Sequence, residues 1–82
     1  MGGYFRNWQD KNIIKFLEEN NFTHISTHGD DCIYYNKELN TTVKVTSPQK
    51  STPVRTMLNI VRCSGISRKE WLKFRNKGFK QS

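Results

Sequence analysis

Apolar positions in this 82-residue chain come in short groups whose spacing changes from helical to extended and back. After Asp10, a candidate N-cap, Ile13, Ile14 and Leu17 fall at i, i+1 and i+4 and make one helical stripe. Asn20-Asn21 ends that helix, because asparagine tolerates the left-handed conformation needed just past a helix. Phe22 and Ile25 then sit in a short strand of threonine, serine and histidine. A turn at Gly29-Asp30 leads to a second strand, Cys32 to Asn36, in which Tyr34 and Tyr35 point to opposite faces. Lys37-Glu38-Leu39-Asn40 is a polar hairpin loop of ordinary length. Thr41 to Thr46 alternates, with Val43 and Val45 on one side and Thr42, Lys44 and Thr46 on the other. The three strands read as an antiparallel meander.

Ser47 to Ser51 is a loop by its turn residues. Thr52-Pro53 reads as an N-cap followed by proline at the first helical position, with a start near Thr56 as the alternative. Val54, Met57, Ile60 and Val61 share the apolar face of this second helix, with Leu58 at its flank. Arg55 and Arg62, seven residues apart, share another face. Gly65 closes the helix. Ser67 and Glu70 have the spacing of a capping box, which opens a short C-terminal helix carrying Trp71, Leu72 and Phe74. Both aromatics are expected in the core rather than as platforms for bases. The pattern is an α+β, α-β-β-β-α sandwich: helices cover one face of a three-stranded antiparallel sheet and leave the other open, with a short extra helix at the end.

Length narrows this to a single domain spanning 1–82, with a core of about 10–74 and frayed ends, Asn76 to Ser82 among them. A chain this short buries only about 60% of its unfolded surface, so the core is thin. No apolar run approaches the roughly 20 residues of a membrane span, and no membrane role is expected. The opening MGGYFRNW has no apolar stretch of the kind a signal peptide needs. Two cysteines, Cys32 and Cys63, do not make a secreted disulfide framework and fit reduced thiols in a cytoplasmic protein. With His24 and His28 they also lack the short paired spacings of structural zinc, so neither metal nor cofactor is expected.

Charge changes the picture more. The net +7 is unevenly spread: residues 1–36 set Arg6, Lys11 and Lys15 against five carboxylates, a net of −2. Residues 37–82 set eleven lysines and arginines against Glu38 and Glu70, a net of +9. A basic half on a small domain points to a polyanion, most often nucleic acid. The plainer alternative is that the basic residues keep the protein in solution. Candidate chemistry concentrates in Thr27 to Asn36, THGDDCIYYN, which holds one histidine, two adjacent carboxylates and one cysteine.

The run of motifs resembles one family. Ile14-Lys15-Phe16-Leu17 with Asn21-Phe22, Gly29-Asp30-Asp31 with Ile33-Tyr34, and Thr42-Val43-Lys44-Val45 each contribute. The most specific block is Met57 to Ser67, ending in Gly65-Ile66-Ser67, with Glu70-Trp71-Leu72 behind it. Together these resemble the HicA toxins (YcfA-like mRNA interferases), small endoribonucleases with a fold like the double-stranded RNA-binding domain. The resemblance implies an mRNA substrate, metal-independent cleavage, and an acidic HicB-like antitoxin that covers the active site. The family carries Gly-Ser-His or Gly-Asp-His where the second strand begins, and that histidine is catalytic. Here Gly29 and Asp30 match, but Asp31 holds the histidine position. His28 lies three residues earlier, where the family usually has lysine or arginine.

That departure matters chemically. Cleaving RNA without a metal needs a base for the 2′-OH and an acid for the leaving 5′-oxygen, and imidazole, titrating near 6.5, serves both. An ordinary exposed aspartate, near 3.9, is a poor base and hardly an acid at neutral pH. Losing acid–base help typically costs on the order of 10²–10⁴ in rate. Three readings stay open. The chain is a HicA-like RNA-binding toxin whose cleavage is weakened or lost; or an active ribonuclease in which His28 has taken the imidazole role; or a small basic protein-binding domain with no RNA role. The candidate catalytic residues are Asp31, expected to be exposed beside the Lys44 face, and His28 as its substitute. The candidate RNA contacts are Gly29, Lys44, Arg55, Arg62, Lys69 and Lys73.

Overall fold

The computed structural model describes Phe5, residues 7–48 and residues 51–77. The elements run α1 (Asp10–Glu19), β1 (Phe22–His28), β2 (Asp31–Asn36), β3 (Thr41–Thr46), α2 (Val54–Ser64) and α3 (Arg68–Asn76). The strands form one antiparallel sheet in the order β1-β2-β3, so the α-β-β-β-α layout holds. No helix among the described residues is long and apolar enough to cross a membrane.

Each helix begins at or within a residue of where the sequence suggests, for reasons it does not advertise. The N-cap of α1 is Gln9, not Asp10, and its N–H donates to Asn12 Oδ1 at 3.1 Å. Asp10 is the first helical residue, and its carboxylate instead accepts from the Ser47 hydroxyl at 2.5 Å, tying α1 to the end of β3. Asn21 adopts φ +71°, the left-handed exit foreseen for it. Pro53 is the N-cap of α2 rather than its first helical residue, and Val54 starts the helix. The shift follows from Thr52, which is buried and donates its N–H to the Trp8 carbonyl at 2.8 Å. Gly65, at φ +76°, closes α2 as expected.

The capping box at α3 does not form. Ser67 occupies the N-cap without a side-chain hydrogen bond, and Glu70 reaches along the helix to Lys73, 3.7 Å away. The hydroxyl that organises this corner is Ser64, fully buried, which donates to the Val61 carbonyl. It accepts from the Ile66 N–H at 3.1 Å and from Trp71 Nε1 at 3.3 Å.

Val43 and Val45 on β3 are buried in one cluster with Ile13, Leu17, Met57 and Val61. Burying each valine stabilises the fold by roughly 1.5–3 kcal/mol. Trp71 stacks on Phe16 with ring centroids 3.8 Å apart, and Phe74 meets Phe16 edge-on at 5.3 Å, so these aromatics are core, as expected. The core also extends ahead of residue 10. Trp8 is fully buried against Trp71 and Phe74, and Phe5 stacks on Trp8. A core starting near Asp10 therefore understates the domain. At the other end, Asn76 is still helical; Gly78 to Ser82, like Gln49 and Lys50 of the β3–α2 loop, lie outside the described residues.

Candidate functional site

Strand register decides which side chains share the open face of the sheet. Val43 and Val45 point to the helices, so Thr42, Lys44 and Thr46 point away. Directly opposite residues share a face, which places Tyr35, Ile33 and Asp31 of β2 beside Thr42, Lys44 and Thr46 respectively. On β1 a bulge falls between His24 and Ser26. Its extra residue, Ile25, is turned to solvent and is 55% exposed. Beyond it the alternation is reset, so Ser26 pairs with Ile33 and His28 with Asp31. The end row of the open face is therefore His28, Asp31, Thr46, followed by Ser26, Ile33, Lys44 and then Thr23, Tyr35, Thr42.

The end row is held by its turn. Gly29 has φ +64°, as a two-residue hairpin with glycine in first place requires. The Asp30 carbonyl accepts from the Ser47 N–H at 2.7 Å, which locks the turn to the end of β3. Asp31 opens β2 on the Lys44 face, as expected, but it is half-buried rather than exposed. Its Oδ1 accepts from the Thr46 hydroxyl at 3.2 Å, which draws the carboxylate down onto the sheet. His28 is exposed, with Nε2 2.9 Å from Ser26 Oγ. Lys44 is exposed too, and Tyr35, half-buried, donates its hydroxyl to Asn40 Oδ1 at 3.2 Å.

The sequence-predicted cations do not converge. Lys44 stands on the open face, whereas Arg55 and Arg62 belong to α2 and Lys69 and Lys73 to α3, in the helical part of the fold. Arg62 donates to Asn59 Oδ1 at 2.7 Å, and Lys73 faces Glu70. What is brought together is Gly29, His28, Asp31 and Lys44. Ser26, Tyr35 and Thr46 join them without having been singled out. Period-two alternation could have flagged Tyr35 and Thr46, but Ser26 needs the bulge, which only the pairing register reveals.

A second histidine lies on the other side of β1. His24 approaches Tyr34 with ring centroids 5.3 Å apart, and its Nε2 is 2.6 Å from Thr27 Oγ1. Tyr34 itself is buried, and burial first, then the neighbouring Glu18 and Cys32, raise the pKa of its phenol. It stays protonated and serves as packing rather than as an acid or base at neutral pH.

Comparison with known proteins finds no matching family and no matching curated protein.

Proposed function

We propose that this chain is a HicA-like toxin of a toxin–antitoxin pair, which binds RNA and cleaves mRNA weakly or not at all. The observation that carries the reading is the surroundings of Asp31. It begins β2 directly after the Gly29-Asp30 turn, on an uncovered sheet face that also presents Lys44, Tyr35 and His28. An RNA-cleaving member of the resembled family would have its imidazole there. In its place stands a carboxylate already engaged by Thr46, which repels phosphate and is not the imidazole that acid–base cleavage of RNA draws on. The basic half and Lys44 favour the RNA backbone, whose phosphates and 2′-OH groups a double-stranded RNA-binding fold reads by shape. The implied partners are mRNA and an acidic HicB-like antitoxin. The implied setting is the cytoplasm, where Cys32 and Cys63 remain thiols.

One observation favours the second reading, an active ribonuclease using His28. His28 and Asp31 are three apart in sequence, but the two-residue hairpin makes them direct cross-strand partners. Cβ atoms of such partners lie about 4.5–5.5 Å apart. His28 thus shares its row of the face with Asp31, where the resemblance implies a catalytic histidine.

RNA binding is tested by titrating a labelled single strand at several salt concentrations. The logarithm of affinity should fall with the logarithm of salt with a slope of about −0.7 for each phosphate contacted. Lys44→Glu should weaken binding more than Arg55→Glu does. Affinity indifferent to salt, or unchanged by Lys44→Glu, contradicts a nucleic-acid role for the open face.

A further inference from the structure

In the helical part of the fold, a groove of about 500 Å³ runs along the α2–α3 corner. Leu58 and Val61 of α2 and Ile66 of the connection give it an apolar floor, and Gly65 adds bare backbone at the bend. Arg62 and Arg68 form its charged rim. Leu58 and Ile66 are only half-buried, so their methyl groups remain reachable. Leu39, from the β2–β3 loop, extends the apolar surface at one side. It is 48% exposed and approaches within 3.7 Å of the position a side chain at Gly65 would take.

We propose that this groove docks an acidic peptide segment of a partner protein, one that presents bulky aliphatic side chains to the floor and carboxylates to the rim. Charge complementarity names the occupant. Among the described residues no carboxylate lines the groove, and neither Arg62 nor Arg68 pairs with one. Arg62 spends one N–H on the neutral Asn59 side chain and keeps the rest of its fork for an incoming acceptor. Both guanidiniums are exposed, so they offer planar, bidentate recognition of carboxylates. The floor decides between an acidic peptide and a nucleic acid. No aromatic ring among the described residues lines the groove to stack a base, so a nucleic acid would gain phosphate contacts alone. An aliphatic side chain also removes the reachable parts of Leu58 and Ile66 from water. This inference goes beyond the RNA reading and does not depend on it.

The test uses the full chain and a short fluorescein-labelled peptide with glutamates on both sides of an adjacent pair of leucines. Binding is followed by anisotropy, and the contact surface by methyl chemical shifts. Saturable binding, shifts centred on Leu58, Val61 and Ile66, and a loss of about tenfold or more in R62E/R68E are expected, since reversed charge sets like against like. Both arginines are exposed, so the variant should melt like the parent; Lys44→Glu should leave peptide affinity unaltered. No saturable binding at millimolar peptide overturns the proposal. So does equal affinity for a peptide with serines in place of the leucines, or an RNA strand that moves the groove methyls when the peptide does not.

Discussion

Single polar side chains hold together corners of this fold that a hydrophobic pattern passes over. Ser64 reads as one more helical residue, yet its hydroxyl serves the Trp71 indole and the Ile66 amide at once while donating to Val61. Asn36 does comparable work between α1 and the hairpin. It is buried, donates Nδ2 to the Asn20 carbonyl at 2.8 Å and accepts from the Leu39 N–H at 2.8 Å. Removing the Ser64 hydroxyl leaves the buried Trp71 indole N–H unpaired, which costs about 1–3 kcal/mol. Ser64→Ala should therefore lower the thermal midpoint by roughly 4–8 °C for each kcal/mol lost, the scaling for a domain of this size. A melt superimposable on the parent's would show that the Trp71 indole has no need of this hydroxyl.

At the scale of elements, β3 is the most plainly written stretch. Strict alternation over Thr41 to Thr46 identified both its span and its buried pair, and Val43 and Val45 are 1% and 0% exposed. Val45→Asp replaces a stabilising burial with a carboxylate that has no partner, a cost of several kcal/mol. Small domains hold only about 5–15 kcal/mol in total, so this variant should show no cooperative unfolding transition by circular dichroism. A transition matching the parent's would refute the placement of β3. The turn at Gly29, the exit at Asn21 and the stop at Gly65 were equally legible, because each needs a left-handed backbone that few residues accept. The helix starts were not. They depend on what the neighbouring side chains do elsewhere: Asp10 answers Ser47, Thr52 answers Trp8, and Glu70 turns to Lys73. The bulge at Ile25 was hidden for a similar reason, since one inserted residue has no local signature until the strand is paired.

For the molecule as a whole, the two-layer arrangement followed from periodicity, but its completeness did not. Phe5 and Trp8 precede every periodic segment, yet they close an aromatic cluster with Phe16, Trp71 and Phe74 that seats α3 against α1. An isolated tryptophan gives no period to read, so only the three-dimensional contact discloses it. The candidate site was half legible in the same sense. Lys44, Asp31 and His28 share a face as alternation and the turn suggest, whereas the helical cations lie elsewhere, because charge totals carry no direction. Two surfaces stand out, an open sheet face with a histidine, a carboxylate and a lysine, and a groove between α2 and α3 rimmed by arginines. The central claim concerns the first of these.

That claim is tested most directly by cleavage of a labelled RNA by the parent, His28→Ala and Asp31→His, with binding checked in parallel. Asp31→His supplies an imidazole titrating near 6.5 on a face that already presents Lys44. The account predicts a parent that cleaves slowly or not at all and an Asp31→His variant faster by about 10²–10⁴. Residual cleavage by the parent that disappears in His28→Ala would assign the remaining activity to His28. An Asp31→His variant that binds RNA and yet cleaves no faster than the parent would contradict the account.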